Sequence, residues 1–143
     1  MIFIGSDHGG FVLKELLIPY LEQYGTVENR GVFNGNSCDY PDVARDVCQC
    51  LLATQNYNDI AILICGTGIG MSIAANKIHG IRAAIVGNEY SARMAKQHNN
   101  ANVICLGARV IGAGLAMSIV DAFLSAKFEG GRHEKRVNKI EEL

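Results

Sequence analysis

The stretch Cys65-Gly66-Thr67-Gly68-Ile69-Gly70-Met71-Ser72 has the residue types and spacing best suited to chemistry in this chain. A thiol stands at its head, and three glycines alternate behind it. Glycines at that spacing let the backbone come close to a ligand. Where such a turn feeds a helix, unpaired N–H groups and the helix dipole favour an anion. The anion can be a phosphate, a developing enediolate or a thiolate. A free thiol has a pKa of about 8.5, and a helix N-terminus lowers it. Cys65 therefore reads as a base or nucleophile, and its position reads equally well as a buried strand cysteine.

Two standard phosphate motifs do not fit. A P-loop places Lys-Ser/Thr directly after its last glycine, whereas Lys77 lies seven residues beyond Gly70. The dinucleotide fingerprint needs a third glycine where Met71 stands. Glu89 could still mimic the ribose-binding acid of that fold, but no second half of a dinucleotide domain remains in the chain.

Four further segments carry chemistry-bearing side chains. Asp7-His8 can hydrogen-bond sugar hydroxyls or carry a proton; equally, Asp7 can cap the next helix beside a surface histidine. His98, followed by Asn99 and Asn100, suits a general acid/base with flanking amides, or an exposed helix end with His near the C-terminal dipole. Arg109 follows a short apolar run. Arg132 and Arg136 stand four apart, on one helix face. Paired guanidiniums suit a phosphate, while a solvated charged face is the ordinary use of such a run.

The elements that must position these residues follow from apolar periodicity. Ile2–Gly5, Thr26–Asn29, Asp59–Cys65, Ile81–Val86 and Val103–Leu106 read as about five strands. Helical patterns run from Phe11 to Leu21 with Pro19 inside, from about Pro41 to Thr54, from the glycine turn to about Lys77, and over Glu89–Gln97, Ile111–Ala126 and Arg132–Leu143. Pro41 suits a first helical position. Residues 31–38 read as a loop. This alternation predicts an α/β fold, a parallel sheet with helices on both faces. Ligands of such sheets bind at the carboxyl ends of the strands, beside a topological switch point.

Composition bounds the rest. The 143 residues, 49% hydrophobic, suit one domain over 1–143 with a sizeable core, and mean hydropathy is +0.14. With a net charge of -1, no basic excess recommends nucleic acid, and any anion must be caught by locally placed cations. No apolar stretch approaches membrane-spanning length, and the short run at the N-terminus lacks the basic flank of a signal peptide. A cytoplasmic location is the expectation. The five cysteines, Cys38, Cys48, Cys50, Cys65 and Cys105, are odd in number and scattered, which argues against a disulfide scaffold. Cys48 and Cys50 lie two apart in a helical pattern, pointing to different sides, and read as free thiols.

Several pieces together resemble the ribose-5-phosphate isomerase B family. They are Ser6-Asp7-His8-Gly9-Gly10, Asp39-Tyr40-Pro41, the Cys65–Gly70 turn with Ala74-Ala75-Asn76-Lys77, Gly80-Ile81-Arg82-Ala83-Ala84, Gln97–Asn102, and Gly131-Arg132-His133 with Arg136. The likeness spans nearly the whole chain, and the joint order and spacing carry it. It implies a single Rossmann-like three-layer domain and a metal-free, cofactor-free sugar-phosphate isomerase. It further implies a homodimer or dimer of dimers with sites shared between subunits. On this resemblance Cys65 is the base that moves a proton between C1 and C2. His98 opens the furanose ring, with Thr67 assisting. Asp7, His8, Tyr40, Gly66, Thr67, Gly68, Ile69, Gly70, Asn99, Arg109, Arg132 and Arg136 bind substrate. Some relatives carry glycine for the cysteine and glutamate at the position of Met71; this chain has Cys65 and Met71 and falls in the cysteine branch. The alternatives are a galactose-6-phosphate or allose-6-phosphate isomerase, the former needing a second subunit, and a sugar-phosphate-binding module without turnover.

Overall fold

A computed structural model describes all residues 1–143. Its five strands are β1 (Ile2–Ser6), β2 (Val27–Arg30), β3 (Ile60–Cys65), β4 (Ala83–Ile85) and β5 (Val103–Gly107). They form one wholly parallel sheet in the order β2-β1-β3-β5-β4. The helices are α1 (Phe11–Leu21), α2 (Tyr40–Ala53), α3 (Ile69–Ala75), α4 (Glu89–Gln97), α5 (Ala113–Ser125) and α6 (Arg132–Glu141).

Period-two alternation sorts the strand residues onto two faces. Ile2, Ile4, Ile60, Ile62, Ile64, Ile104 and Leu106 pack with Leu13, Leu17, Ile119 and Phe123, so α1, α4 and α5 cover one face. Phe3, Ala61, Leu63, Cys65, Val103 and Cys105 pack with Val43, Val47, Leu51, Met71 and Ala75, so α2 and α3 cover the other. Every residue of β1, β3 and β5 is buried. This is the reason those strands read as continuous apolar runs. The expectation of a parallel sheet with helices on both faces is met, with α6 set apart from both layers.

Element ends differ from the periodic reading where side chains intervene. Helix α3 stops at Ala75 because Asn76 turns to the sheet: its amide donates to Ala83 O at 2.9 Å and accepts from Ala83 N at 2.8 Å. Tyr40, not Pro41, opens α2, with Asp39 as its cap residue. Pro19 is accommodated inside α1, which runs on to Leu21. Lys14, within an apolar helical pattern, is fully buried. Its ammonium donates to Asn29 Oδ1 at 2.7 Å and to Val32 O at 2.8 Å, and pairs with Glu15 at 3.1 Å. That cation anchors the start of the 31–38 loop.

The chain reverses its direction of travel across the sheet between β1 and β3, so the switch point lies at their carboxyl ends. The turn after β1 is pressed against β3. Asp7 N–H donates to Ile64 O at 3.2 Å, and a Cβ on Gly10 would stand 2.6 Å from the same carbonyl oxygen. A Gly10→Ala substitution must push this turn off β3. It should lower unfolding free energy by about 1–3 kcal/mol and reduce any activity housed at the strand ends. Gly35→Ala, with nothing within 4 Å of the added carbon, is the control that should leave the urea midpoint unchanged. Equal midpoints for both variants would contradict the close-packed turn.

Candidate active site

At the switch point the ladder continues past the strand ends. Ala108 N–H donates to Cys65 O at 2.9 Å and Arg109 N–H to Gly66 O at 3.0 Å. The backbone after β5 is thereby held against the glycine turn. The Arg109 side chain lies across Gly66, with Nη1 3.5 Å from where a Cβ would stand. The Cys65 sulfur faces the turn from the lip of β3, 5% exposed, and accepts the Gly68 N–H at 3.1 Å. Gly68 has φ of 81°, a left-handed conformation that favours glycine, and it aims that N–H back at the sulfur. Any thiolate formed there has a donor in place. The Thr67 hydroxyl, on the exposed side, accepts the Ile69 N–H at 3.2 Å.

From β1, Asp7 caps the following turn, its Oδ1 accepting the Gly10 N–H at 3.1 Å. Its neighbour His8 is exposed, and its Nδ1 accepts the Cys38 N–H at 3.4 Å. That bond puts the ring proton of neutral His8 on Nε2, the edge left for a ligand. The loop 31–38, to which the sequence assigned no role, thus sets the tautomer of His8. Across the turn, the Tyr40 ring covers Gly70, where a Cβ would sit 2.6 Å from a ring carbon. Asp7, His8, Tyr40, Cys65, Gly66, Thr67, Gly68, Ile69, Gly70 and Arg109 therefore gather at one end of the sheet.

His98, Asn99, Arg132 and Arg136 lie at the other end. Helix α4 runs back antiparallel to the strands, and His98 caps its C-terminus just before β5 begins. The link to the strand starts is direct, since Ala61 N–H donates to Asn102 O at 2.9 Å. Strand β3 is six residues long, so at about 3.3 Å per residue its ends stand roughly 16 Å apart. One copy of the chain cannot bring its own His98 to its own Cys65. Nor do Asp7, Cys65 or Arg109 line the cleft of about 670 Å³ that Arg82, Asn99 and Glu141 share beside α6.

This second group is built around Arg82, a motif residue whose purpose spacing did not disclose. Its Nε and Nη2 donate to Asn100 O at 3.0 and 2.9 Å, and its Nη1 pairs with Glu141 at 2.5 Å. Asn100 sits at φ of 45°, so the guanidinium holds the left-handed turn that ends α4. It also fastens the far end of α6. At the near end, Glu129 N–H donates to Gln97 O at 3.0 Å, and the His133 ring stacks on His98 with centroids 4.1 Å apart and planes 10° from parallel. Burial first, then His98 and Arg132, hold the His133 pKa below the usual histidine value. The sequence reading missed His133 and Glu129 as site members. The signal for His133 was its place between Arg132 and Arg136, but nothing in the chain announced its stack on a residue so far away.

The other thiols stand apart from this chemistry. Burial pushes Cys48 up to about 12 and Cys105 higher still. Both pack into the α2–α3 side of the core. His98, Glu129 and His133 bring ligand-type atoms within 4.8 Å of one another, the one such cluster in the chain. A metal ion lies in the plane of each imidazole that holds it. Two parallel stacked rings have no common plane, so this arrangement serves as a ring pair unless one ring turns.

Comparison with known proteins agrees with the geometry. Residues 2–140 match the family model described as Ribose/Galactose Isomerase. Ribose-5-phosphate isomerase B of Escherichia coli is 46% identical over 140 residues, covering 97% of this chain and 93% of that protein. The solved ribose 5-phosphate isomerase of Thermotoga maritima superposes with a TM-score of 0.94 at 50% identity, covering 99% of this chain and 97% of that one. The Mycoplasma genitalium ribose-5-phosphate isomerase B, solved with bound ribulose-5-phosphate, also gives 0.94, at 43% identity, covering 99% of this chain and 93% of that one. By the whole-length match, the fold and the shared order of motifs, the chain belongs to the ribose/galactose isomerase family.

Proposed function

We propose that this chain is an aldose–ketose isomerase that interconverts ribose 5-phosphate and ribulose 5-phosphate in sites completed by a second copy. The observation that carries the reading is Cys65, set at the switch point with an N–H on its sulfur and Arg109, Asp7 and Tyr40 around the same turn. The Mycoplasma genitalium relative, of nearly the same fold, holds ribulose-5-phosphate.

The aldose arrives mainly as a closed ring. His98 suits ring opening because imidazole titrates near neutrality. Thr67, exposed beside Cys65, assists at the same substrate. The Cys65 thiolate then takes the proton from C2. The C–H electron pair becomes the C1–C2 double bond of an enediolate, and negative charge grows on the C1 oxygen. N–H groups of the Gly66–Gly70 turn face that charge, and one such donor is worth about 3 kcal/mol. A proton passes from the C2 oxygen to the C1 oxygen, Cys65 returns its own proton to C1, and C2 is left as the ketone. Oxidation at C2 balances reduction at C1 within one molecule, so no external oxidant is consumed. Arg132 and Arg136, permanently charged and on one helix face, hold the phosphate and fix the reacting carbons.

The second copy follows from the separation of the two groups. Helix α3, which starts from the thiol turn, leaves Ile69 53% and Ile73 60% exposed, and β4 leaves Ile85 48% exposed. These apolar side chains beside Cys65 suit burial against another copy, and a two-fold interface would complete two sites at once. A cytoplasmic location is consistent with this activity and with the absence of any helix long and apolar enough to cross a membrane.

Purified protein should form ribulose 5-phosphate from ribose 5-phosphate, and folded Cys65→Ala should lose at least about 100-fold in kcat. Activity that survives in the variant would overturn the thiol mechanism. Wild-type inactivity on the pentose would move the reading to a six-carbon sugar phosphate or a binding module. Turnover of ribose 5-phosphate by His98→Asn should fall by roughly 100-fold. Exchange of the C1 proton of open-chain ribulose 5-phosphate with D2O, followed by NMR, should stay near the wild-type rate. Equal losses in both would remove His98 from ring opening.

A further inference from the structure

Helix α6 brings more than two arginines to the site. His133 is the one buried histidine of the four in the chain, 6% exposed, and it sits on the inward face of α6 with Val137. Its ring lies flat on His98. Nothing about the stack is left to the side chains alone. Glu129 N–H ties the approach to α6 onto the Gln97 carbonyl, one residue before His98, and His133 N–H donates to Gly130 O at 3.0 Å. Gly130 and Gly131, with φ of 66° and 56°, make the sharp entry that this placement needs. At the far end, Arg82 holds both Glu141 of α6 and the Asn100 carbonyl of the His98 loop. The two imidazoles are thus clamped from both ends of the helix.

We propose that His133 is the positioning residue of His98, a buried imidazole that holds the ring-opening histidine face-on and supports it when it carries a proton. The inference rests on the ring-opening reading of His98 given above. In that step His98 accepts the proton of the C1 hydroxyl, the C1–O bond of the ring breaks with its electron pair going to the ring oxygen, and His98 returns the proton there. The imidazole becomes a cation for the interval between the two transfers. Two protonated rings at 4.1 Å would repel, so the supporting ring has to stay neutral. Burial, together with Arg132, Arg136 and His98, favours neutral His133, while Glu129, 3.6 Å from its Nε2, opposes them. A neutral ring parallel to an imidazolium attracts it through its π face. A fixed ring plane also keeps the free edge of His98 aimed in one direction, and a misplacement of about 1 Å can cost roughly 100-fold in rate.

The test compares two apolar replacements of similar bulk in the assembled protein. His133→Phe keeps a flat ring against His98; His133→Leu fills the space without one. The Leu variant should lose roughly 10- to 100-fold in kcat on ribose 5-phosphate. It should keep its KM within about twofold, and keep C1-proton exchange of ribulose 5-phosphate near the wild-type rate. The Phe variant should recover most of the lost kcat. Equal kcat for Leu and Phe, or parallel losses in turnover and exchange, would overturn the positioning role. His98→Asn separates the two levels. If that variant shows the split between turnover and exchange but His133→Leu does not, His133 alone is misassigned. If His98→Asn shows no split, the ring-opening reading fails with it.

Discussion

The hydrogen-bond ladder that runs past both ends of β3 governs where every functional side chain can be. At the carboxyl end, Ile64 O accepts from Asp7 and Cys65 O from Ala108, which draws the turns after β1 and β5 onto the thiol. At the amino end, Ala61 N–H takes the Asn102 carbonyl, which fixes the loop that carries His98 and Asn99. Because β3 is buried on both faces, it cannot slide to relieve either end: a one-residue slip would send every side chain to the wrong layer. The strand therefore holds the two halves of the proposed reaction centre rigidly, and it holds them apart.

That separation divides the chemistry. The thiol end works by backbone donors and close packing. Its N–H groups cost no side-chain entropy to align, and the tight contact at Gly10 keeps Asp7 beside the turn. The imidazole end works by side-chain networks instead: Arg82 bridges a loop and a helix, and His133 stacks on His98. Helix α6 has little packing of its own against the sheet layers, so these few contacts decide its position. The difference also explains the fate of the thiols. Cys48 and Cys105 sit where burial disfavours charge, while Cys65 sits at the edge of the same core with a donor on its sulfur.

Much of this was legible in the chain. Strands buried on both faces announce themselves as unbroken apolar runs, which is why β1, β3 and β5 were readable to within a residue. The edge strands β2 and β4, only partly buried, were weaker, and β4 proved shorter because Ile81 and Arg82 serve the adjoining turn and the α6 clamp. Local chemistry was readable too: a thiol before alternating glycines, and arginines four apart. What periodicity cannot carry is long-range pairing. Arg82 with Glu141, His98 with His133, and Cys38 with His8 join residues that no local pattern relates. Buried Lys14 shows the same limit, since its position in an apolar stripe gave no sign of the carbonyl waiting for it.

The central claim, that one copy supplies the thiol and another the imidazole, is open to a direct measurement. Cys65→Ala and His98→Asn proteins, each inactive alone on ribose 5-phosphate, are mixed in equal amounts under conditions that let subunits exchange. In half of the random dimers one site regains both wild-type groups, so activity should return to about one quarter of the wild-type rate. No recovery, with exchange of subunits verified by mass, would show that thiol and imidazole act from the same chain and would contradict the account.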